Sequence, residues 1–254
     1  MRLPGRFAAA LIACALIGGC ATGKKGPDPR DPFEPINRGI YNFNEKVDQA
    51  VLQPTARVYR FVVPSFVRQS VSNAFSNVDD VRVGINNVLQ GKFAIAYGDF
   101  GRVMINSTLG VLGLFDIASE AGIEKHQEDF GQTLAKWGVR EGPFIMLPLF
   151  GPSTVRDTGG WVVDWFLDPI TYVNPSRAHN QLLFGRIISR RTELLDASKV
   201  LDAAALDEYE FVRDAYLQRR GNLVYDGKPP ADKVPGLEPP RPNDPQPAES
   251  QKQK

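Results

Sequence analysis

The sequence predicts an all-α domain, and two observations carry that prediction. Over long stretches, apolar residues recur at intervals of three and four, which is the period of an amphipathic helix. Alternation with period two extends over a few residues at most, and the short segments 111–112 and 137–139 are the candidate strands. The chain has 254 residues. Setting aside a leader and a tail leaves one domain of roughly 200 residues.

The amino terminus predicts export and a lipid anchor. Arg2 and Arg6 precede a short apolar run, which is the pattern of a signal peptide rather than of a membrane-spanning helix. Residues 16–20, Leu-Ile-Gly-Gly-Cys, resemble the lipobox of bacterial lipoproteins. This predicts a signal peptide over residues 1–19 and acylation of Cys20, and two or more acyl chains hold a protein stably on a membrane. The alternative is that Cys20 is a free thiol behind an ordinary cleaved signal.

The elements of the domain follow in order between residues 36 and 226. Residues 20–35 carry the lipid anchor and a polar, proline-rich linker. Six apolar stripes of helical period come next. Their helices begin at Ile36, Ser65, Phe93, Thr154, Ser176 and Leu206. The first helix is predicted to stop before Pro54. Residues 227–254 lack an apolar stripe and are predicted to be disordered.

One apolar run does not fit a helix. In EGPFIMLPLFGP, residues 141–152, Pro148 interrupts the run and Gly-Pro pairs bracket it, and the run is too short to cross a bilayer. We predict that it forms a wall or lid of a lipid channel, hinged at Gly142 and Gly151. The predicted channel residues are Phe144, Ile145, Met146, Leu147, Leu149 and Phe150. The alternative is a buried strand or a core loop.

Four residues are candidates for the channel entrance. They are Asn42, Phe43, Arg156 and Asp157. The amides of Asn42 and Asn44 on the first helix can hold the entrance or a lid closed by hydrogen bonds, and the charged pair behind the apolar run can position that run or meet a lipid headgroup. Capping and solvation are the alternatives. The aromatic-rich segments 110–117 and 161–166 predict membrane contact, with core packing as their alternative.

The sequence argues against an enzyme, a metal site and a nucleic-acid partner. Its 30 basic and 29 acidic residues nearly balance and mix along the chain, so no basic surface indicates a nucleic acid. The motifs G-x-S-x-G, H-E-x-x-H and G-x-x-x-x-G-K-[ST] are absent from it, and we predict no catalytic residue, no metal ligand and no cofactor. A base role for His126 or His179 beside a distant serine is the enzymatic alternative.

Long motifs in a fixed order resemble the VacJ/MlaA family of outer-membrane lipoproteins. They are DPFEPINRGIYNFNEKVD at 31–48, followed in order by NNVLQGKF, GDFGRVMINSTLGVLGLFDIA, EDFGQTLAKWGV, GPFIMLPLFGPSTVRDTGG and DWFLDP. The resemblance extends from Asp31 to Gly221. It implies a ring-like helical domain that encloses an amphipathic channel. It also implies a location in the inner leaflet, on the periplasmic side of the outer membrane.

The same resemblance implies a function without catalysis. Members of the family remove mislocalised phospholipid from the outer leaflet and pass it to a periplasmic carrier protein, which keeps the outer membrane asymmetric. The resemblance further implies contact with porin trimers, docking of the carrier on the last helix before Gly221, and an energy source in the partners. The alternative is a passive lipoprotein that tethers the envelope, which gives the apolar run at 144–150 no role.

Overall fold

The computed structural model describes residues 28–229, without the side chains of residues 199–204. Within this part of the chain there are nine α-helices and one β-hairpin, so the predicted all-α class is confirmed. The helices are α1 Glu34–Val47, α2 Gln53–Val62, α3 Ser65–Leu89, α4 Phe93–Thr108, α5 Ile117–Glu120, α6 Phe130–Lys136, α7 Val155–Leu167, α8 Ser176–Ala204 and α9 Glu208–Val224. The antiparallel strands are β1 Phe144–Leu147 and β2 Gly151–Thr154.

Several predictions for the chain ends fall outside the described residues. They concern the signal peptide at 1–19, the acylated Cys20, most of the linker, and the tail beyond residue 229. These remain predictions.

The backbone does not stop at Pro54, where the sequence predicted the end of the first helix. A π-helical turn, Asp48–Leu52, joins α1 directly to α2. Pro54 lies in the first turn of α2, where a residue without an amide hydrogen is well tolerated. The amide of Gln53 donates to the carbonyl of Asp48 in the wider turn. The predicted boundary is therefore wrong, and the two helices form one continuous helical segment.

The later helices begin near their predicted starts. α3 begins at Ser65 and is followed by Gly91 with a φ of 78°. α7 follows Thr154, whose side chain accepts a hydrogen bond from the amide of Asp157, as expected of an N-cap. Helices α5 and α6 were not predicted, because helices of 4 and 7 residues are too short to show an apolar stripe.

The strands of the described residues lie in the apolar run, where a buried strand was the alternative to a lid. β1 and β2 pair along their full lengths. The segments 111–112 and 137–139 are not strands, so that prediction is wrong. Val111 and Leu112 have φ values of 52° and 58°, which no strand residue adopts.

The helices close into a ring around a cavity. α3 contacts α4, α6, α7 and α8, while α2 packs on α8, α6 on α7, and α9 on α6 and β2. A short loop, residues 205–207, joins α8 to α9. α3, α6, α9 and α8 therefore surround a cavity of about 650 Å³, a volume typical of ligand sites.

The buried faces of α3 and α4 are polar. α3 buries Asn77, Asp80, Asn86 and Asn87, and α4 buries Asp99, Arg102 and Asn106. The large apolar residues lie outside: Tyr97 is 83% exposed, and Phe61 on α2 is 92% exposed. In a protein surrounded by water, an apolar stripe faces the core. The exterior of this fold is therefore suited to apolar surroundings.

Arg102 is the centre of the polar network between α3 and α4. Its side chain is 1% exposed and pairs with Asp80 at 3.3 Å and with Asp116 at 2.9 Å. It also donates to the carbonyl of Ile123 at 2.6 Å. Burial raises the pKa of Asp80, and the charges of Lys125 and Arg102 oppose that rise. The guanidinium is satisfied only because several segments converge on it.

Replacing Arg102 with methionine is expected to lower the free energy of unfolding by about 3–5 kcal/mol, because two carboxylates lose their shared buried cation. Arg57→Met, on the exposed side of α2, is the matched control and is expected to change it by less than about 0.5 kcal/mol. Denaturant titration of both variants in detergent micelles measures the difference. Equal stability of the two variants would contradict a structural role for the network.

Candidate functional site

The candidate site is the cavity inside the helix ring, and most of the residues in its wall are polar or charged. Residues from α3, α6, α8, α9 and the loop 125–129 line it. The charged ones are Asp79, Asp80, Arg82, Lys125, Glu128, Asp129, Arg186, Arg190, Glu193, Arg219 and Arg220, and the aliphatic and phenyl ones are Phe75, Val83, Leu194 and Leu223. Such a wall can accept a charged group that has left water.

Ion pairs between neighbouring elements hold many of the charges of the cavity. Arg220 on α9 pairs with Asp129 at 2.5 Å and with Asp157 at 2.8 Å. Arg186 on α8 pairs with Asp168, after α7, at 2.5 Å. Because each pair joins two elements, together they fix the positions of the helices around the cavity.

Arg156 and Asp157, two of the predicted entrance residues, lie behind the cavity wall. Both are buried, and Arg156 donates to Asp157 Oδ1 at 3.0 Å. Asp157 also accepts from Arg220 and from the hydroxyl of Tyr216, each at 2.8 Å, and both donors line the cavity. Burial and this carboxylate raise the pKa of Tyr216, so its hydroxyl remains a donor. Solvation, the alternative for this pair, is therefore wrong, because the pair is buried and supports the cavity wall.

The inner side of the apolar run belongs to the core, since side chains alternate along a strand. Phe144 is 0% exposed and Met146 is 3% exposed. The side chains around them are those of Ile40, Tyr41, Tyr209, Val212, Tyr216 and Leu217. These two residues are corrected from predicted channel residues to core residues. The cavity wall of the described structure includes no residue of 144–150.

The hairpin turn carries the exposed part of the run. Leu149 and Phe150 are exposed, and the ring of Phe150 lies 4.5 Å from that of Trp161. Ile145 and Leu147 on β1 are half-buried. A lid made of these four residues stays a prediction, and the exposed apolar side chains of the turn are its strongest members.

The two predicted hinge glycines adopt conformations that favour glycine. Gly142 has a φ of 72° and Gly151 a φ of 85°, a region that other residues enter only with strain. A Cβ at Gly142 would lie 3.1 Å from Val155, whereas a Cβ at Gly151 would meet open space. The hinge role of both glycines stays a prediction.

Two asparagines of α1 hold the hairpin by hydrogen bonds. Asn44 is one of the amides that the sequence gives as candidates for such bonds, whereas Asn37 was not predicted as a site residue. Asn37 donates to the carbonyl of Phe144 at 3.2 Å and accepts from the amide of Met146 at 2.9 Å. Asn44 donates to the carbonyl of Leu147 at 2.9 Å and accepts from the amide of Leu149 at 2.7 Å. We call Asn37 and Asn44 the amide latch. Their spacing of two helical turns places both on one face of α1, and that spacing is the signal that identifies them in the sequence.

The other two entrance candidates are on the exposed side of α1. Asn42 and Phe43 are both exposed, and the hydrogen bonds to the hairpin come from the amide latch. An entrance role for Asn42 and Phe43 stays a prediction.

The two histidines are both half-buried. His126 Nδ1 lies 2.9 Å from Oδ1 of the buried Asp99, and His179 Nδ1 lies 2.8 Å from the carbonyl oxygen of Ile170. Among the side chains that the structure describes, no three of histidine, cysteine, aspartate or glutamate are grouped as a metal site.

Exposed large apolar side chains are found at the junction of α2 and α3 and in the segments 109–115 and 161–166. We call them the apolar surface, which consists of Phe61, Val62, Phe66, Leu109, Val111, Leu112, Phe115, Trp161, Trp165 and Phe166. It includes much of the predicted membrane-contact segments 110–117 and 161–166. Among the helices of the described residues, none has the length and apolar character needed to cross a bilayer.

The amide latch predicts unequal effects for three asparagines of α1. Asn37→Ala leaves buried hydrogen-bonding groups unsatisfied, including the carboxylate of Asp31 at 2.7 Å, and is expected to cost about 3 kcal/mol of unfolding free energy. Asn44→Ala is expected to cost about 1 kcal/mol. Asn42→Ala serves as the control, with less than about 0.5 kcal/mol expected. Denaturant titration in detergent checks the order, and an equal loss at Asn42 would rule the latch out.

Comparison with known proteins gives concordant results for this fold. Residues 29–223 match the family model for the MlaA lipoprotein. The "Intermembrane phospholipid transport system lipoprotein MlaA" of Escherichia coli (strain K12) is 34% identical over 229 residues, 88% of this chain and 90% of that protein. The protein of the same name from Haemophilus influenzae is 30% identical and covers 86% of this chain and 90% of its own length.

A solved structure has the same arrangement of helices. It is described as "Structural basis for maintenance of bacterial outer membrane lipid asymmetry" and matches with a TM-score of 0.67 at 33% identity, over 76% of this chain and 98% of that one. The family match covers every helix of the ring and the whole cavity wall. The chain therefore belongs to the MlaA lipoprotein family.

Proposed function

We propose that this protein takes mislocalised phospholipid from the outer leaflet of the outer membrane and passes it towards the periplasm. The headgroup occupies the polar cavity while the acyl chains remain against apolar residues. The observation that carries the proposal is the inverted arrangement of the fold, with charged groups inside and large apolar side chains outside. The names of the relatives, which specify intermembrane phospholipid transport, support it.

The energetics of lipid transfer explain why such a fold is useful. Exposing both acyl chains of a phospholipid to water costs on the order of 20 kcal/mol. Moving a charged headgroup through hydrocarbon is also costly unless polar partners replace its water. A polar cavity within an apolar exterior reduces both costs together.

The apolar surface suits a location within one leaflet. Transfer of an exposed side chain such as Phe61, which is 92% exposed, from water to an apolar environment is favourable by about 1.5–3 kcal/mol. Trp161 and Trp165 suit the boundary between headgroups and acyl chains. We place the protein on the periplasmic side of the outer membrane, where acyl chains on Cys20 would add to the attachment.

The hairpin turn is the proposed lid. Leu149 and Phe150 present apolar side chains next to Trp161 on the apolar surface, so they can follow acyl chains as the headgroup enters. The backbone at Gly142 and Gly151 can hinge this movement. Asn42 and Phe43, exposed on α1 beside the latch, would lie at the entrance.

A periplasmic carrier is the proposed receiver of the lipid, and α9 is its proposed docking helix. α9 carries Arg219 and Arg220 of the cavity wall and also the exposed Phe211, so a partner bound there lies close to the lipid path. Porin trimers are proposed as membrane partners by family resemblance. The role is transport without catalysis, and the energy for direction comes from the partners.

A passive envelope tether is the second candidate, and it makes a different prediction. A tether needs only its anchor and its outer surface, and it gains nothing from a cavity of about 650 Å³. Blocking that cavity therefore separates the two functions.

Ser76→Trp places a large side chain in the cavity wall, and we expect it to raise outer-leaflet phospholipid to most of the level of a deletion strain. Ser70→Trp on the same helix, away from the cavity, is the matched control. Surface labelling of outer-leaflet phospholipid in the two strains measures the effect. Normal lipid asymmetry with folded, membrane-located Ser76→Trp protein would favour the tether.

A further inference from the structure

Three charged side chains of the cavity form no ion pair among the residues that the structure describes. The paired charges include Lys125 with Asp80, Arg82 with Asp164, Lys92 with Glu128, Arg186 with Asp79 and Asp168, and Arg220 with Asp129. The remaining three are Arg190, Glu193 and Arg219. All three side chains are exposed and line the cavity, so their charges are available to a ligand that enters it.

The three side chains line one cavity from two helices, α8 and α9. Arg190 and Glu193 are three residues apart on α8, which places them on neighbouring positions of one helix face, about 5–6 Å apart at Cβ. The Ser72 hydroxyl donates to Glu193 Oε1 at 2.5 Å, so Oε2 remains for a second donor. Arg219 on α9 donates to Gln127 at 2.8 Å and keeps further N–H groups for a ligand.

The chemistry of the set fits a headgroup that carries both signs of charge. An arginine fork binds phosphate oxygens in a bidentate manner, and an ionised carboxylate accepts hydrogen bonds from an ammonium group. In a phosphoethanolamine headgroup, a short ethylene bridge joins a phosphodiester to a primary ammonium. A phosphoglycerol headgroup offers the phosphodiester but no cation for the carboxylate.

We propose that Arg190 and Arg219 bind the phosphodiester, and that Glu193 binds the ammonium group, of a zwitterionic aminoethyl phospholipid. The cavity therefore prefers this class over anionic phospholipids. This inference rests on the proposed function and adds a headgroup preference to it. The groups are open to solvent, and an ion pair of this kind changes affinity by about two- to fivefold.

A competition experiment tests the preference. The full-length lipidated protein is equilibrated with mixed micelles that contain phosphatidylethanolamine and phosphatidylglycerol in equal amounts, and mass spectrometry quantifies the retained lipids. We expect the wild type to enrich phosphatidylethanolamine about two- to fivefold. Glu193→Gln is expected to bring the ratio close to one. Arg190→Gln and Arg219→Gln are expected to reduce both lipids and to leave the ratio unchanged.

Two control variants carry the same chemical change outside the cavity. Arg177→Gln lies on α8 and Glu120→Gln on α5, both at exposed positions, and both are expected to match the wild type. Equal retention of the two lipids by the wild type, or an unchanged ratio in Glu193→Gln, would overturn the headgroup preference while transport remains supported. A wild type that retains neither lipid would overturn the proposed function and this inference with it.

Discussion

The pairing of charges in the interior is the constraint on which the rest of the structure depends. Arg102 and Arg220 stay buried only while carboxylates from several segments face them, since an unpaired buried charge costs several kcal/mol. These pairs position α3, α4, α6, α7 and α9, a task that apolar packing performs in most proteins. Large apolar side chains are thereby left to face outwards.

The hairpin links this polar frame to the exterior. Its inner residues, Phe144 and Met146, pack in an apolar cluster, and the amide latch takes hydrogen bonds that a third strand would otherwise supply. Asn37 is buried and Asn44 is only half-buried. In the proposed lid movement, the turn at Leu149 opens by breaking the outer bonds of the latch while the strand remains in place. A moving lid and a fixed strand can thus coexist in one short segment.

Helical periodicity identified the long helices but could not identify their surroundings. The stripes that begin at Ser65 and Phe93 are real, yet a period shows only that two faces differ, and here the polar face of α4, with Asp99, is the buried one. A short apolar run has no decisive period, so the sequence alone does not distinguish the buried strand at 144–147 from a lid. Asn37 was not predicted as a site residue because its hydrogen-bond acceptor, the carbonyl of Phe144, is 107 positions away in the sequence.

In the proposed membrane-embedded state, lipid surrounds the exterior of the fold while water reaches the cavity. Single cysteines at Phe61 and Leu112 on the apolar surface, and at Ser76 and Arg219 in the cavity wall, can be treated in intact outer membranes with a membrane-impermeant maleimide. We expect labelling at the two cavity positions and protection at the two exterior positions, with all four labelled after solubilisation and denaturation. Rapid labelling of the exterior positions together with protection of the cavity positions would contradict the account.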